Sequence, residues 1–164
     1  MTAPDGLSAD GSAFDGFGTF GLEIPVAIHA EMVAHAIAGF PLEACGLFAG
    51  PGAATRTESL SGQGSSVSRF YATENEAASA KVYTVPGVAF LRSEMDAEDN
   101  GWELLGVMHS HTHTDAYPSP TDVAQAPDPN WHYVIVSLRD DLPSLRSYRI
   151  VDGEITEEPV RLTD

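Results

Sequence analysis

Cations are scarce in this chain: 164 residues include one lysine, Lys81, and seven arginines, against 24 acidic side chains, for a formal net charge of −16. A phosphate backbone or an anionic membrane surface is bound chiefly through clustered Lys and Arg, so neither nucleic acid nor an acidic membrane is expected as a partner. Cysteine is just as rare. Cys45 stands alone, which excludes an internal disulfide and suits a reducing compartment. No apolar run approaches the roughly 18–20 residues that span a bilayer, which excludes a membrane span. The N-terminus has neither the basic segment nor the apolar core of a secretory signal, and a cytoplasmic location is the expectation. Internal repeats and long linkers are missing too.

What is present fits one domain of ordinary size. Residues 1–20 mix Gly, Ser, Ala and Asp with isolated Phe and show no period, which predicts a disordered tail before a domain spanning 21–164. Leu22 to Ile28 suggests a strand in which Pro25 favours an edge or a start. His29 to Gly39 places Met32, Val33, Ala36 and Ile37 at helical spacing. Cys45 to Ala49, Leu104 to Met108, Trp131 to Leu138 and Leu145 to Val151 have the length and content of buried strands, the last closed by the turn pair Asp152-Gly153. β-leaning pieces lie at Val67 to Ala72 and Lys81 to Thr84. Pro86 to Asp99 reads as a helix with Val88, Leu91, Arg92 and Met95 on one face. Strands and helices interleave without a regular βαβ rhythm, which predicts an α+β or mixed α/β fold.

The informative stretch is Gly106 to Ala126, GVMHSHTHTDAYPSPTDVAQA. At a strand end, residues i and i+2 project to the same face, so His109 and His111 can offer imidazole nitrogens to one ion. Ser119-Pro120-Thr121-Asp122 has the form of a helix start, with Ser at the N-cap, Pro at the first helical position and an acid three residues after the cap. That geometry turns Asp122 back toward the strand ends. Three N/O ligands leave a fourth tetrahedral position open, the mark of a catalytic rather than a structural site. Imidazole with carboxylate, and no thiolate cluster, suits zinc. Each piece alone is commonplace; their joint occurrence points to a metal.

His109-Ser-His111, seven residues, Ser119, two residues and Asp122 resembles the JAMM (MPN+) metalloprotease motif. Its upstream glutamate is matched by Glu43 in Pro-Leu-Glu-Ala-Cys-Gly, and Asn75, Ser79 and Tyr83 match a further segment of the family. Glu43-Ala-Cys-Gly, Ala116-Tyr-Pro-Ser-Pro-Thr-Asp-Val, His132-Tyr-Val-Ile-Val-Ser and Leu145-Arg-Ser-Tyr-Arg-Ile-Val-Asp-Gly are similar to the actinobacterial Mec-type branch of sulfur-carrier-protein–cysteine hydrolases. The resemblance implies a JAMM/MPN (cytidine-deaminase-like) fold, with a central mixed, mainly antiparallel sheet flanked by helices. It implies one Zn2+ per chain held by His109, His111 and Asp122, Glu43 as general base and then acid, and Ser119 as donor to the oxyanion. The implied substrate is a ubiquitin-like sulfur carrier ending in Gly-Gly, joined by an amide to cysteine. A peptidase for another such carrier and a non-catalytic MPN scaffold are the competing readings. Ser110 falls on the opposite strand face, as a packing or supporting residue. His113 reads as a solvated loop residue, with an extra ligand as the alternative. Cys45 reads as a small buried hydrophobe, with a zinc ligand or redox brake as the alternative.

Overall fold

The computed structural model describes residues 21–52 and 64–164; the expected tail, residues 1–20, lies outside them. The chain enters as strand β1 (Leu22–Pro25) and turns at once into helix α1 (Val26–Gly39). The strand expected to run to Ile28 stops at Pro25, whose ring removes a ladder donor and fixes φ at −55° for the N-cap. Ile28, Met32 and Ala36 are then the buried face of α1, while Ile37 is exposed. There follow β2 (Cys45–Gly50), β3 (Ser65–Ser66), β4 (Arg69–Thr73) and α2 (Gly87–Asp99). Lys81 to Thr84 stays outside any strand. The second half holds β5 (Glu103–His111), α3 (Pro120–Gln125), β6 (His132–Ser137), β7 (Ser144–Val151), β8 (Glu154–Glu158) and β9 (Val160–Thr163).

Six strands form one sheet in the order β4-β2-β5-β6-β7-β8, antiparallel except for the central pair β5 and β6. This is the mixed, mainly antiparallel arrangement expected. β5 lies between β2, where Cys45 faces His109, and β6, where His109 faces Ile135 and His111 faces Ser137. Gly106 permits the β5–β6 approach, since a Cβ there would run into the His132 carbonyl. One core packs α1 and β1 against Phe48, Met108, Val134 and Val136; a second gathers Leu47, Val107, Ile135 and Tyr148, with Phe90 of α2 and Val123 of α3 packed against it.

α2 is turned from its expected setting. Its buried residues are Ser93 and Ala97, whereas Val88, Leu91 and Met95 are 63%, 54% and 56% exposed. The small side chains let the helix lie close to the sheet, so the larger apolar face is left outward. The Asp152-Gly153 turn is as read: φ values of +51° and +80° make the two-residue β7–β8 hairpin of the twist-matching kind.

A smaller sheet, β3-β1-β9, joins both of its outer strands to β1 in parallel. Buried His132 ties the two sheets together, with Nδ1 2.6 Å from Glu158 Oε1 and Nε2 2.8 Å from Ser65 Oγ. Ser147 donates to the same Glu158 oxygen at 2.7 Å. Among the described residues no helix is long and apolar enough to cross a membrane.

Candidate active site

β5 delivers His109 and His111 to its C-terminal end, on the sheet face covered by α3. The helix start is built as its sequence suggests: Ser119 Oγ accepts from Asp122 N at 3.1 Å and Asp122 Oδ2 accepts from Ser119 N at 2.7 Å, a closed capping box. The same Oδ2 lies 3.3 Å from both His109 Nε2 and His111 Nε2, and those nitrogens are 3.1 Å apart. All three side chains are buried.

The His111 Nδ1 atom is 2.7 Å from the Asp115 carbonyl, so it carries the proton and Nε2 turns its lone pair to the other two residues. Tyr83 stacks on the His109 ring, with centroids 4.4 Å apart, and fixes its plane. Ligand atoms about 2.0–2.1 Å from a tetrahedral zinc stand roughly 3.3 Å apart. The edges of this triangle therefore fit one small ion, and the donors are those zinc takes.

Electrostatics agree. Burial works to raise the Asp122 pKa, but hydrogen bonds and charge from the two histidines, with the Ser119 amide, outweigh it and hold the carboxylate well below its ordinary range. Burial pushes His109 down and keeps it neutral, despite Asp122. For His111 burial opposes charge, and Asp122 and the Asp115 carbonyl win, so its pKa is raised.

Glu43 stands outside this triangle, at the entry to β2, only 5% exposed and with Oε2 lacking a hydrogen-bond partner. Burial pushes its carboxyl up to about 7, with His111 lowering and Asp122 raising it. Its backbone is clamped from two sides. The amide donates to Ser79 O at 2.9 Å and the carbonyl accepts from Asn75 Nδ2 at 3.0 Å. On the other flank Ser110 Oγ accepts from Ala44 N at 2.8 Å, the supporting role foreseen for a residue on the opposite strand face.

Asn75 and Tyr83 entered the sequence reading through resemblance alone, with no task attached. Asn75 is a hub: Nδ2 also donates to Val82 O at 3.0 Å, and Oδ1 accepts from Ala77 N and Thr84 N at 3.1 and 2.9 Å. Nothing in a lone Asn announces bonds to positions so far apart in sequence. Asn75→Ala is expected to cost about 2–4 kcal/mol, because it strands several polar backbone groups at once. Chemical denaturation measures this.

Cys45 is fully buried, its thiol 3.4 Å from both Thr73 Oγ1 and the Glu74 carbonyl. Burial pushes its pKa up, against the Thr73 hydrogen bond, with Glu43 also raising it; it is a protonated structural thiol. His113 is exposed, bonded to Thr112 Oγ1 at 2.9 Å and in ring contact with Phe40, and it is not part of the triangle.

A strand-end pair of histidines, a capping carboxylate and a buried glutamate beside them are the build of a metal-dependent hydrolase. The chain belongs to the family of prokaryotic homologues of the JAB domain, which matches residues 25–151. It is a peptidase of the JAMM type. The CysO-cysteine peptidase of Mycobacterium tuberculosis is 42% identical over 134 residues, covering 81% of this chain and 85% of its own. The solution structure of protein DSY2949 from Desulfitobacterium hafniense has a TM-score of 0.75 and 32% identity, over 87% of this chain and 93% of the other. The JAB1/MPN domain protein AF2198 from Archaeoglobus fulgidus, at 16% identity, shares the fold with a TM-score of 0.54 over 89% of this chain and 100% of its own.

Proposed function

We propose that this chain is a cytoplasmic, zinc-dependent hydrolase that cleaves the amide between the C-terminal glycine of a ubiquitin-like sulfur carrier and cysteine, releasing free cysteine. The observation that carries the chemistry is the His109–His111–Asp122 triangle with a buried carboxyl, Glu43, beside it. The 42% identical CysO-cysteine peptidase supports the substrate. One Zn2+ per chain would be held by those three residues, within one domain spanning 21–164, and would supply Lewis acidity and a water of lowered pKa.

The chain's own groups do the rest. Glu43 takes a proton from the attacking water and returns it to the leaving amine; a carboxyl poised near 7 suits both transfers. Ser119 Oγ accepts from the helix amide, which leaves its hydroxyl proton free to donate to the oxygen of the scissile carbonyl as charge builds there. Cap and oxyanion donor thus coexist in one side chain.

Ser119→Ala is expected to lower kcat by on the order of 10²- to 10³-fold while the lost cap costs only about 1 kcal/mol. Steady-state kinetics beside thermal melts separate the two. A carrier tail ending in Gly-Gly fits an extended peptide read chiefly through its main chain. The direct test is mass spectrometry of a sulfur carrier bearing a C-terminal cysteine, incubated with the zinc-loaded protein. Loss of one cysteine supports the reading. An intact carrier rejects this substrate and moves the search to other ubiquitin-like carriers.

A further inference from the structure

Lys81, the single lysine of a chain carrying −16, lines the cavity that holds Glu43. This cavity encloses about 490 Å3 and is walled also by His111, His113, Thr114 and Ser119. Most of the described arginines are spoken for: Arg69 pairs with Asp96, Arg139 with Asp115, Arg146 with Glu157 and Arg161 with Glu23. Lys81 makes no ion pair among the described residues. Its backbone amide is held by Ser79 Oγ at 3.1 Å, and the residue is exposed. In so acidic a protein, a lysine with no ion pair in the cavity that holds the base is a choice of place that solubility does not require.

The chemistry says what belongs there. Glu43 must return its proton to the leaving amine, so the amine half of the substrate occupies the Glu43 side of the site. A second cavity of about 410 Å3, lined by Tyr83, whose ring stacks on His109, and by residues such as Leu47, Val85, Phe90 and Trp131, has no charged side chain in its wall. That apolar groove suits the acyl half. A single amino acid released from an amide carries its carboxylate one carbon from the new amine. A longer peptide, or a lysine joined through its side chain, does not.

We infer that Lys81 receives the α-carboxylate of the departing amino acid and makes the enzyme selective for a carrier capped by one residue. This rests on the carrier-amide reading above and names how that reading's leaving group is recognised. A flexible point charge suits the task, because the carboxylate must be held before cleavage and released after it.

The test compares two substrates: the carrier ending in cysteine as the free acid, and the same carrier ending in cysteine carboxamide. Wild type is expected to favour the acid by roughly ten- to one-hundred-fold in kcat/KM, mainly through KM, the size of a charge-assisted contact. Lys81→Met should erase that preference by raising KM for the acid, and Lys81→Arg should restore part of it. The same preference should appear in fluorescence-anisotropy binding on a Glu43→Gln background, where no turnover intervenes. Equal handling of both substrates by wild type, or a preference that survives Lys81→Met, overturns the assignment while leaving the carrier reading intact. Cleavage of neither substrate by zinc-loaded wild type removes the carrier reading, and this assignment with it.

Discussion

Glu43→Gln is expected to lower turnover by on the order of 10²- to 10⁴-fold, the usual worth of a positioned acid–base group, with metal content unchanged. Glutamine keeps the shape and can still accept a hydrogen bond, but it cannot carry a proton from water to amine. The same substitution should make the metal-free protein more stable at alkaline pH. Burial raises the folded-state pKa of Glu43 from 4.5 to about 7, so the folded protein holds this proton where the unfolded chain has lost it. The resulting stability is fully present below about 4.5 and is lost as pH rises through about 7. Glutamine does not titrate. Melts of chelator-treated wild type and variant should therefore converge near pH 4 and diverge at pH 8, with the variant higher. An inactive variant that is no more stable at pH 8 would place the carboxylate in a wetter setting than its burial implies.

His109→Ala should abolish both metal binding and turnover, and Asp122 allows the metal's role to be separated from that of the helix cap. Losing a supporting contact outside the coordination sphere already costs roughly 10–100-fold in affinity, so losing a ligand should cost more. Asp122→Ala removes the proposed ligand and half of the capping box together, and should lower stability by about 1 kcal/mol or more even without metal. Asp122→Asn keeps an acceptor for the Ser119 amide, so it should bind metal poorly with a smaller change in the metal-free melt. Zinc should raise the melting temperature of wild type by mass action and leave that of His109→Ala where it was. Elemental analysis with melts, with and without zinc, reads all of these. A His109→Ala protein that retains one equivalent of zinc would move the metal elsewhere.

The site was more legible in sequence than the fold around it, for a physical reason. His109 and His111 are two apart on a strand and Ser119 and Asp122 span one helical turn, so local geometry alone brings each pair together. Glu43 is a separate matter: its approach depends on β2 pairing with β5, with Cys45 opposite His109, a pairing the sequence did not reveal, and the residue itself was picked out only by the family resemblance. The failures were tertiary. Val88, Leu91 and Met95 have the spacing of a buried face, but Ser93 and Ala97 permit closer packing and take the interior. β8 and β9 went unread because sequences such as EITEE do not alternate clearly between apolar and polar; main-chain pairing to β7 and β1 holds them in place. Asn75 was recognisable as a family position, yet its bonds to Glu43, Val82 and Thr84 exist only once the loop has closed.

The parallel pairing of β1 with β9 also bears on how the enzyme is made. Leu22 to Pro25 are among the earliest of the described residues to be translated, but their four-residue partner, Val160–Thr163, comes at the far end of those residues. Until then β1 has only its two-residue pairing with Ser65 and Ser66, and the Glu158 carboxylate that grips His132 is missing as well. A nascent chain therefore already carries His109, His111 and Asp122 before the N-terminal strand and helix are locked over the sheet by β9. Closure of the N-terminal strand waits for β9, and contacts this distant in sequence are slow to form relative to local helix formation.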